Sequence, residues 1–472
     1  MAFSSMPFLC AFLPVVYLLH CLIPSVKVKN FFLIIVSLLF YAYGESVYVI
    51  LMIVCAFLNY VMAGLIGMSG GTVRRLLLAL TVIADLGMLS VYKYAGMIIA
   101  TVDQVAGMKI PVSVFHLPVG ISFFTFQAIS YVADVYRERA GAEKSFWKVL
   151  LYISFFPQLI AGPIIKYHDI SARLDDRKVT LKDSCQGMRR FIIGLSKKVL
   201  ISNTMGAAAD YVFALRSGEL GMLTAWIGAA AYTLQIYFDF SGYSDMAIGI
   251  GRMFGFRFAE NFRYPYAAAS IQDFWRRWHI SLTDWFREYL YIPLGGNRKG
   301  RTLTWLNRLI VFFFTGLWHG ADWTFVFWGL YHGVLSMFET LFPQKTEKGR
   351  WLRHIYVMAA VCIGFVLFRA ESLGQAWVMY RAMFTGYGRS ISAVAAAAAV
   401  CDRLFLFTLA AAVLCALPIK EWLEKAMGGK EDRQCGALIL SGLSYGAAFL
   451  LLPLCIMSLA GGTYNPFIYF RF

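Results

Sequence analysis

Apolar residues in this chain fall into long blocks separated by short polar stretches, and the blocks recur from end to end. A helix needs ~20 such residues to cross ~30 Å of hydrocarbon, and its backbone N–H and C=O groups must pair within the segment. The blocks at 3–22, 30–43, 48–67, 76–100, 117–136, 222–240, 355–368, 405–417 and 438–459 match or approach that length. Two further runs around position 319 form a hairpin between Arg308 and Lys345. The pattern predicts an all-α polytopic membrane protein of about 11 transmembrane helices. Residues 146–165 carry Phe156-Pro157 and Ala161-Gly162-Pro163, which favour a broken or re-entrant hairpin. Residues 181–205 mix Arg189, Arg190, Lys197 and Lys198 with Phe191-Ile192-Ile193, which suits an interfacial helix. Residues 270–292 set Phe274, Trp278, Leu282, Trp285 and Tyr289 at helical spacing, an amphipathic helix.

Composition supports one integral-membrane domain over residues 1–472: 59% of the chain is hydrophobic, and no stretch reads as a separate soluble domain. The net charge of +16 fits either nucleic acid or the positive-inside bias of membrane proteins. Its distribution decides for the second. Basic residues gather at 27–29, 74–75, 137–148, 166–198, 252–308, 345–353 and 420–433. Residues 101–117 carry only Asp103 and Lys109, and residues 461–472 only Arg471. Placing the basic loops in the cytoplasm puts both termini outside. The first residues have no basic n-region or small-residue cleavage site, so the first helix is expected to be retained. The nine cysteines are scattered without a Cys-x-x-Cys, so neither a disulfide framework nor a metal site is expected.

Within the apolar run 310–331 sits Trp318-His319-Gly320. An imidazole at membrane depth is costly, and such residues mark pathways or reaction centres. A core histidine satisfied by a neighbouring carbonyl is the plain alternative, and burial alone leaves both open. Gly316 and Gly320 remove side-chain bulk, so a ligand or another backbone can come close. Other motifs carry less. Gly249 to Gly255 has one residue too many for a dinucleotide fingerprint and follows no strand; Gly251 and Gly255 read better as close helix packing. His279 and Asp284 match a His-x4-Asp pattern, but lie about 140° apart on a helix. His332 falls nearly opposite His319 and reads as a packing residue. The chain has no P-loop, His-Glu-x-x-His or Gly-x-Ser-x-Gly motif.

Longer motifs add a resemblance. They run from Tyr237-Phe238-Asp239-Phe240-Ser241-Gly242-Tyr243-Ser244-Asp245 and Asn261-Phe262 with Pro265-Tyr266 to Asp273-Phe274-Trp275-Arg276-Arg277-Trp278-His279. Tyr291-Ile292-Pro293-Leu294-Gly295-Gly296-Asn297-Arg298, Gly316-Leu317-Trp318-His319-Gly320 and Asn465-Pro466-Phe467-Ile468-Tyr469-Phe470 follow, with Leu117-Pro118-Val119-Gly120 upstream. Together they resemble the membrane-bound O-acyltransferase family, in the branch that O-acetylates bacterial polysaccharides. The match is densest over residues 234–332 and extends to nearly the whole chain.

That resemblance implies helices around a central tunnel and an essential histidine at His319, with the family's second polar position at His279. Acyl transfer from a thioester to a hydroxyl needs a base for the acceptor proton and stabilisation of an oxyanion. His319 is the expected general base. Asp322, one turn on, either orients that ring or caps the next helix. Trp318 and His279 are candidate oxyanion donors, and Trp318, Gly320 and Asp322 are expected along the substrate tunnel. Arg298, Lys299 and Arg301 lie in a glycine-rich loop fit to hold donor phosphates or an acidic carrier; ordinary positive-inside charge explains them equally. The implied donor is acetyl-CoA or an acyl-carrier thioester from the cytoplasm, with no permanently bound cofactor. The implied partners are an extracytoplasmic acetyltransferase and its polysaccharide, in a bacterial inner membrane. D-Alanyl transfer to teichoic acid from a carrier protein, or a transporter making no bond, are the competing readings.

Overall fold

The computed structural model describes residues 1–107, 116–160, 162–341, 349–386, 391–426, 430–462 and 464–468. Expectations placed on Ala161, on residues 108–115, on Lys345 and on Tyr469, Phe470 and Arg471 lie outside the described residues. The chain is helical, with no strand among the described residues. It divides into two compact units.

The first unit comprises Met1–Phe191, Met246–Ala259 and Arg287–Leu290. Its helices are α1 (Leu13–Leu22), α2 (Val26–Ala42), α3 (Tyr48–Met68), α4 (Gly71–Lys93), α5 (Ala95–Ala106), α6 (Ile121–Tyr136), α7 (Phe146–Ser154), α8 (Phe156–Leu159), α9 (Tyr167–Asp175) and most of α10 (Leu181–Ser196). Every residue of α6 from Ile121 to Val135 is buried, so this helix is the unit's core, with α3 and α4 packed on it. Polar groups tie the outer helices: Asn59 Nδ2 on α3 donates to Asp85 Oδ1 on α4 at 2.9 Å, the kind of pair that joins helices where burial gives no driving force. The broken segment expected at 146–165 is present, since α7 and α8 part at Phe155. The freed backbone is satisfied by protein: Phe156 N donates to Ser37 Oγ at 3.2 Å, and the Gln158 amide donates to the Tyr152 carbonyl. Just beyond the segment Lys166 joins a charged network, with Glu288 accepting from Lys166 and Arg139, each at 2.7 Å.

The second unit comprises Ile192–Asp245, Glu260–Phe286 and Tyr291–Phe472. It holds α11 (Asn203–Phe213), most of α12 (Met222–Met253), α13 (Ile271–Arg277), α14 (Ile280–Phe286), α15 (Arg301–His319), α16 (Trp323–Leu341), α17 (Arg350–Arg369), α18 (Leu373–Thr385), α19 (Ile391–Val400), α20 (Arg403–Ala416), α21 (Ile419–Ala426) and α22 (Lys430–Gly461). The α15–α16 hairpin is its tightest pair, and glycines set the approach. A Cβ on Gly329 would collide with the Phe312 carbonyl, and one on Gly316 with the Phe325 carbonyl.

By length and composition, α3, α4, α17 and the 439–461 part of α22 are fit to cross a membrane among the described residues, and α19 with α20, bent by 63°, would make a fifth. These helices show the environment apolar side chains such as Phe57, Leu80, Ile355 and Phe449. The other helices are shorter, broken or carry polar side chains on protein-facing sides. Three expected elements differ. Residues 76–100 divide between α4 and α5 at Tyr94, the run at 222–240 continues to Met253, and 270–292 is interrupted at Trp278-His279. Gly251 packs against the Phe258 ring, whereas Gly255 adopts φ +87° after the end of α12, a left-handed stop that glycine takes without strain.

Candidate active site

α15 opens at Arg301 after Gly300, which takes φ +87°, and ends at His319, where Gly320 turns to an extended conformation. The helix stops there for two reasons. Gly320 leaves helical geometry, and Asp322 starts the return helix by accepting from Thr324 N at 2.9 Å. Asp322 is therefore the cap of α16, one of its two expected roles. Gly320 is needed because the Phe325 ring fills the place of a Cβ. What comes close at Gly316 and Gly320 is thus the return helix itself.

His319 is 3% exposed. Trp328 and Phe368 stand edge-on to its ring, each with centroids 5.2 Å away. The ring lines a cavity with Ile236, Phe240, Trp278, Trp328, Phe365, Phe368 and Ile468. Its open volume is about 10 Å³, the minimum for one water. Of the residues expected around a substrate path, His319 lines this cavity; Trp318, Gly320 and Asp322 are not among its lining residues. Trp318 instead packs on both histidines, 5.0 Å from His319 and 5.8 Å from His279, centroid to centroid.

His279 is fully buried, and its ring centre lies 6.1 Å from that of His319. The backbone break brings it there. α13 is capped at its start by Ser270 Oγ, which accepts from Asp273 N at 2.9 Å. The Glu339 carboxylate of α16 accepts from Ile271 N at 2.6 Å and Gln272 N at 3.1 Å. At the far end His279 takes φ +45°, uncommon for a side chain of this size, before α14 resumes. Asn261 holds the break: its carbonyl accepts from Ile280 N at 2.9 Å, and its Oδ1 from Ser281 N at 3.1 Å. His332 is stacked among Phe274, Trp275 and Trp328, in keeping with a packing role.

Arg298, Lys299 and Arg301 are exposed at the opposite end of α15. Eighteen residues of helix separate Arg301 from His319, roughly 27 Å at the α-helical rise. The Arg301 guanidinium lies 4.9 Å over the Trp305 ring, and the Lys299 stem packs against Gly295. These cations are apart from the histidines.

Several elements of the site escaped the sequence pattern. Phe365 and Phe368 reach the cavity from α17, which reads as an ordinary apolar span. Lys198 and Asp239, both buried, form an ion pair at 2.6 Å. Lys198 also donates to the Pro466 carbonyl, and Asp239 accepts from Ile468 N at 2.9 Å, which seats Ile468 in the cavity wall. The one available signal was the cost of placing a lysine and an aspartate in apolar surroundings.

Residues 81–370 match the model of the membrane-bound O-acyltransferase family. A probable alginate O-acetylase of Azotobacter vinelandii is 37% identical over the full length of both chains. The chain belongs to the membrane-bound O-acyltransferase family. It is a membrane protein and an acyltransferase, so the transporter reading is set aside. A peptidoglycan O-acetyltransferase of Helicobacter pylori is 34% identical over 81% of this chain and 79% of its own. A teichoic acid D-alanyltransferase of Bacillus subtilis is more distant, at 28% over 53% of this chain and 68% of its own. The matched span of the family contains His279, His319 and the whole α15–α16 hairpin.

Proposed function

We propose that this acyltransferase takes an acetyl group from a cytoplasmic thioester, acetyl-CoA or an acyl carrier, and delivers it across a bacterial inner membrane for O-acetylation of an extracytoplasmic polysaccharide, through an extracytoplasmic acetyltransferase partner. The reading treats residues 1–472 as a single domain with about 11 crossings and both termini outside. The observation that carries it is the buried His319 ring in an aromatic cavity, 6.1 Å from a second buried imidazole.

His319 acts as the general base. The acceptor hydroxyl oxygen attacks the thioester carbonyl carbon as its proton passes to the imidazole. The oxyanion collapses, the C–S bond breaks, and the departing sulfur takes the proton back from the imidazolium. One ester and one thiol result, and no cofactor is consumed. Low polarity around the ring strengthens each interaction with the developing charge. A space for about one water does not admit a thioester, so the aromatic walls, Phe240 and Phe368 among them, must part to open the tunnel.

In sealed proteoliposomes with labelled acetyl-CoA, His319→Ala should lower acetyl transfer by about 10²–10⁴-fold while insertion and yield stay unchanged. Transfer at the parent rate would overturn the base assignment. Similarity to a D-alanyltransferase supports the second reading. Label moving from a D-alanyl carrier protein and not from acetyl-CoA would favour it.

A further inference from the structure

We infer that Asn261 is a positioning residue that fixes His279 in its Nδ1–H tautomer, making His279 Nε2 a hydrogen-bond acceptor near His319 and not a donor to the oxyanion. The inference rests on the acyltransferase reading above for its catalytic meaning, and on geometry for the tautomer.

A backbone N–H can only donate, and Ser281 N lies 3.1 Å from Asn261 Oδ1. The amide oxygen therefore faces residues 279–281, and its NH₂ faces the other way, where Asn261 Nδ2 donates to Ser244 Oγ at 3.1 Å. The Ser281 hydroxyl adds a second donor to the same oxygen at 2.9 Å. His279 Nδ1 meets that oxygen at 3.3 Å. Two lone pairs at this distance repel, so Nδ1 carries the hydrogen and donates. A neutral imidazole has one N–H, so Nε2 is left with its lone pair.

Nε2 is buried and has no hydrogen-bond partner among the described residues. A buried acceptor without a protein partner calls for an O–H or N–H from outside the chain, a water or a substrate. The left-handed backbone at His279 points the same way, because such strain persists where the surroundings hold it in place. Here Asn261 holds it through both its carbonyls, from a segment outside the helices that carry either histidine. The ring is also braced by Phe240, edge-on with centroids 4.5 Å apart. Nε2 is thus a hydrogen-bond acceptor and cannot donate to a negative oxygen.

The test reads the tautomer directly. Full-length protein with ¹⁵N-labelled histidine is studied by NMR in detergent without any donor, the His279 signals being assigned by comparison with His279→Gln. The parent should show a protonated Nδ1 and a bare Nε2. Asn261→Asp, which keeps an acceptor oxygen, should preserve that pattern; Asn261→Leu, which removes it, should not. In acetyl transfer Asn261→Leu should lose about 10–100-fold in kcat with KM for the donor unchanged, as when a partner orienting a functional imidazole is removed. Asn261→Asp should recover most of that loss. A parent bearing its hydrogen on Nε2 would overturn the inference even if Asn261→Leu failed to fold, and so would an unchanged tautomer in Asn261→Leu. The expected tautomer in a parent that transfers no acetyl would support the assignment of Asn261 and overturn the proposed function instead.

Discussion

Asp322 shows how a single contact separates two chemistries that spacing leaves open. One turn from His319, it is placed either to orient the imidazole or to start the next helix. Its carboxylate accepts from Thr324 N, so its work is local to α16. Asp322→Asn keeps an acceptor at that position and should transfer acetyl at about the parental rate. Asp322→Ala should lower stability by about 0.5–2 kcal/mol, as loss of an N-cap does. Thermal melting together with initial rates checks both; a large fall in kcat for Asp322→Asn would show that the ring depends on it. His319 was legible from sequence because an ionisable group in a long apolar run is conspicuous. Asn261 was not, although it lies in a recognised motif, since its role arises only once the chain folds back on residues 279–281. The aromatic walls were equally hidden: Phe365 and Phe368 look like any lipid-facing pair until α17 is seen to turn them inward, both being buried.

At the scale of elements, close helix approach and buried charge carry the structure around the site. Gly329→Ala would press a methyl group against the Phe312 carbonyl, and backbone cannot step aside as a side-chain end can. A loss of about 1–3 kcal/mol is expected from such overpacking. Gly446→Ala on α22 is the control, because nothing lies within 4 Å of the added carbon; it should be neutral or slightly stabilising. The Lys198–Asp239 pair behaves differently. Lys198→Met alone leaves Asp239 buried and uncompensated, at a cost of about 3–5 kcal/mol. Adding Asp239→Leu should restore much of the melting temperature, and its failure to do so would mean the pair stabilises more than it costs to bury. The helical class and the α15–α16 hairpin were readable from apolar block lengths. Interruptions were readable only where proline announced them, as at Pro157. The break at His279 has no such residue: helical spacing runs on through it, and capping by Glu339 and anchoring by Asn261 override the local periodicity.

For the whole molecule, the proposed reaction requires a donor from one face to reach His319. The cations Arg298, Lys299 and Arg301 stand at one end of α15 and His319 at the other, roughly 27 Å apart along the helix, close to the ~30 Å thickness of a hydrocarbon core. If the basic loop lies in the cytoplasm, as the charge distribution along the chain implies, the histidine stands toward the far side, where an extracytoplasmic acceptor can meet it. The loop then contributes to donor capture and not to bond making. Replacing all three cations by alanine should raise KM for acetyl-CoA and leave kcat near the parental value, the signature of lost binding that is equal in ground and transition states. The parent's KM should itself rise with salt, because exposed charges are screened beyond about 10 Å at 0.1 M ionic strength, and the triple variant should lose most of that dependence. In sealed vesicles of defined orientation, donor supplied to the loop's face should sustain transfer and donor supplied to the other face should not. Charge that serves only to orient the chain in the membrane would leave KM and its salt dependence untouched, so kinetics at two ionic strengths distinguish the two roles of the same residues.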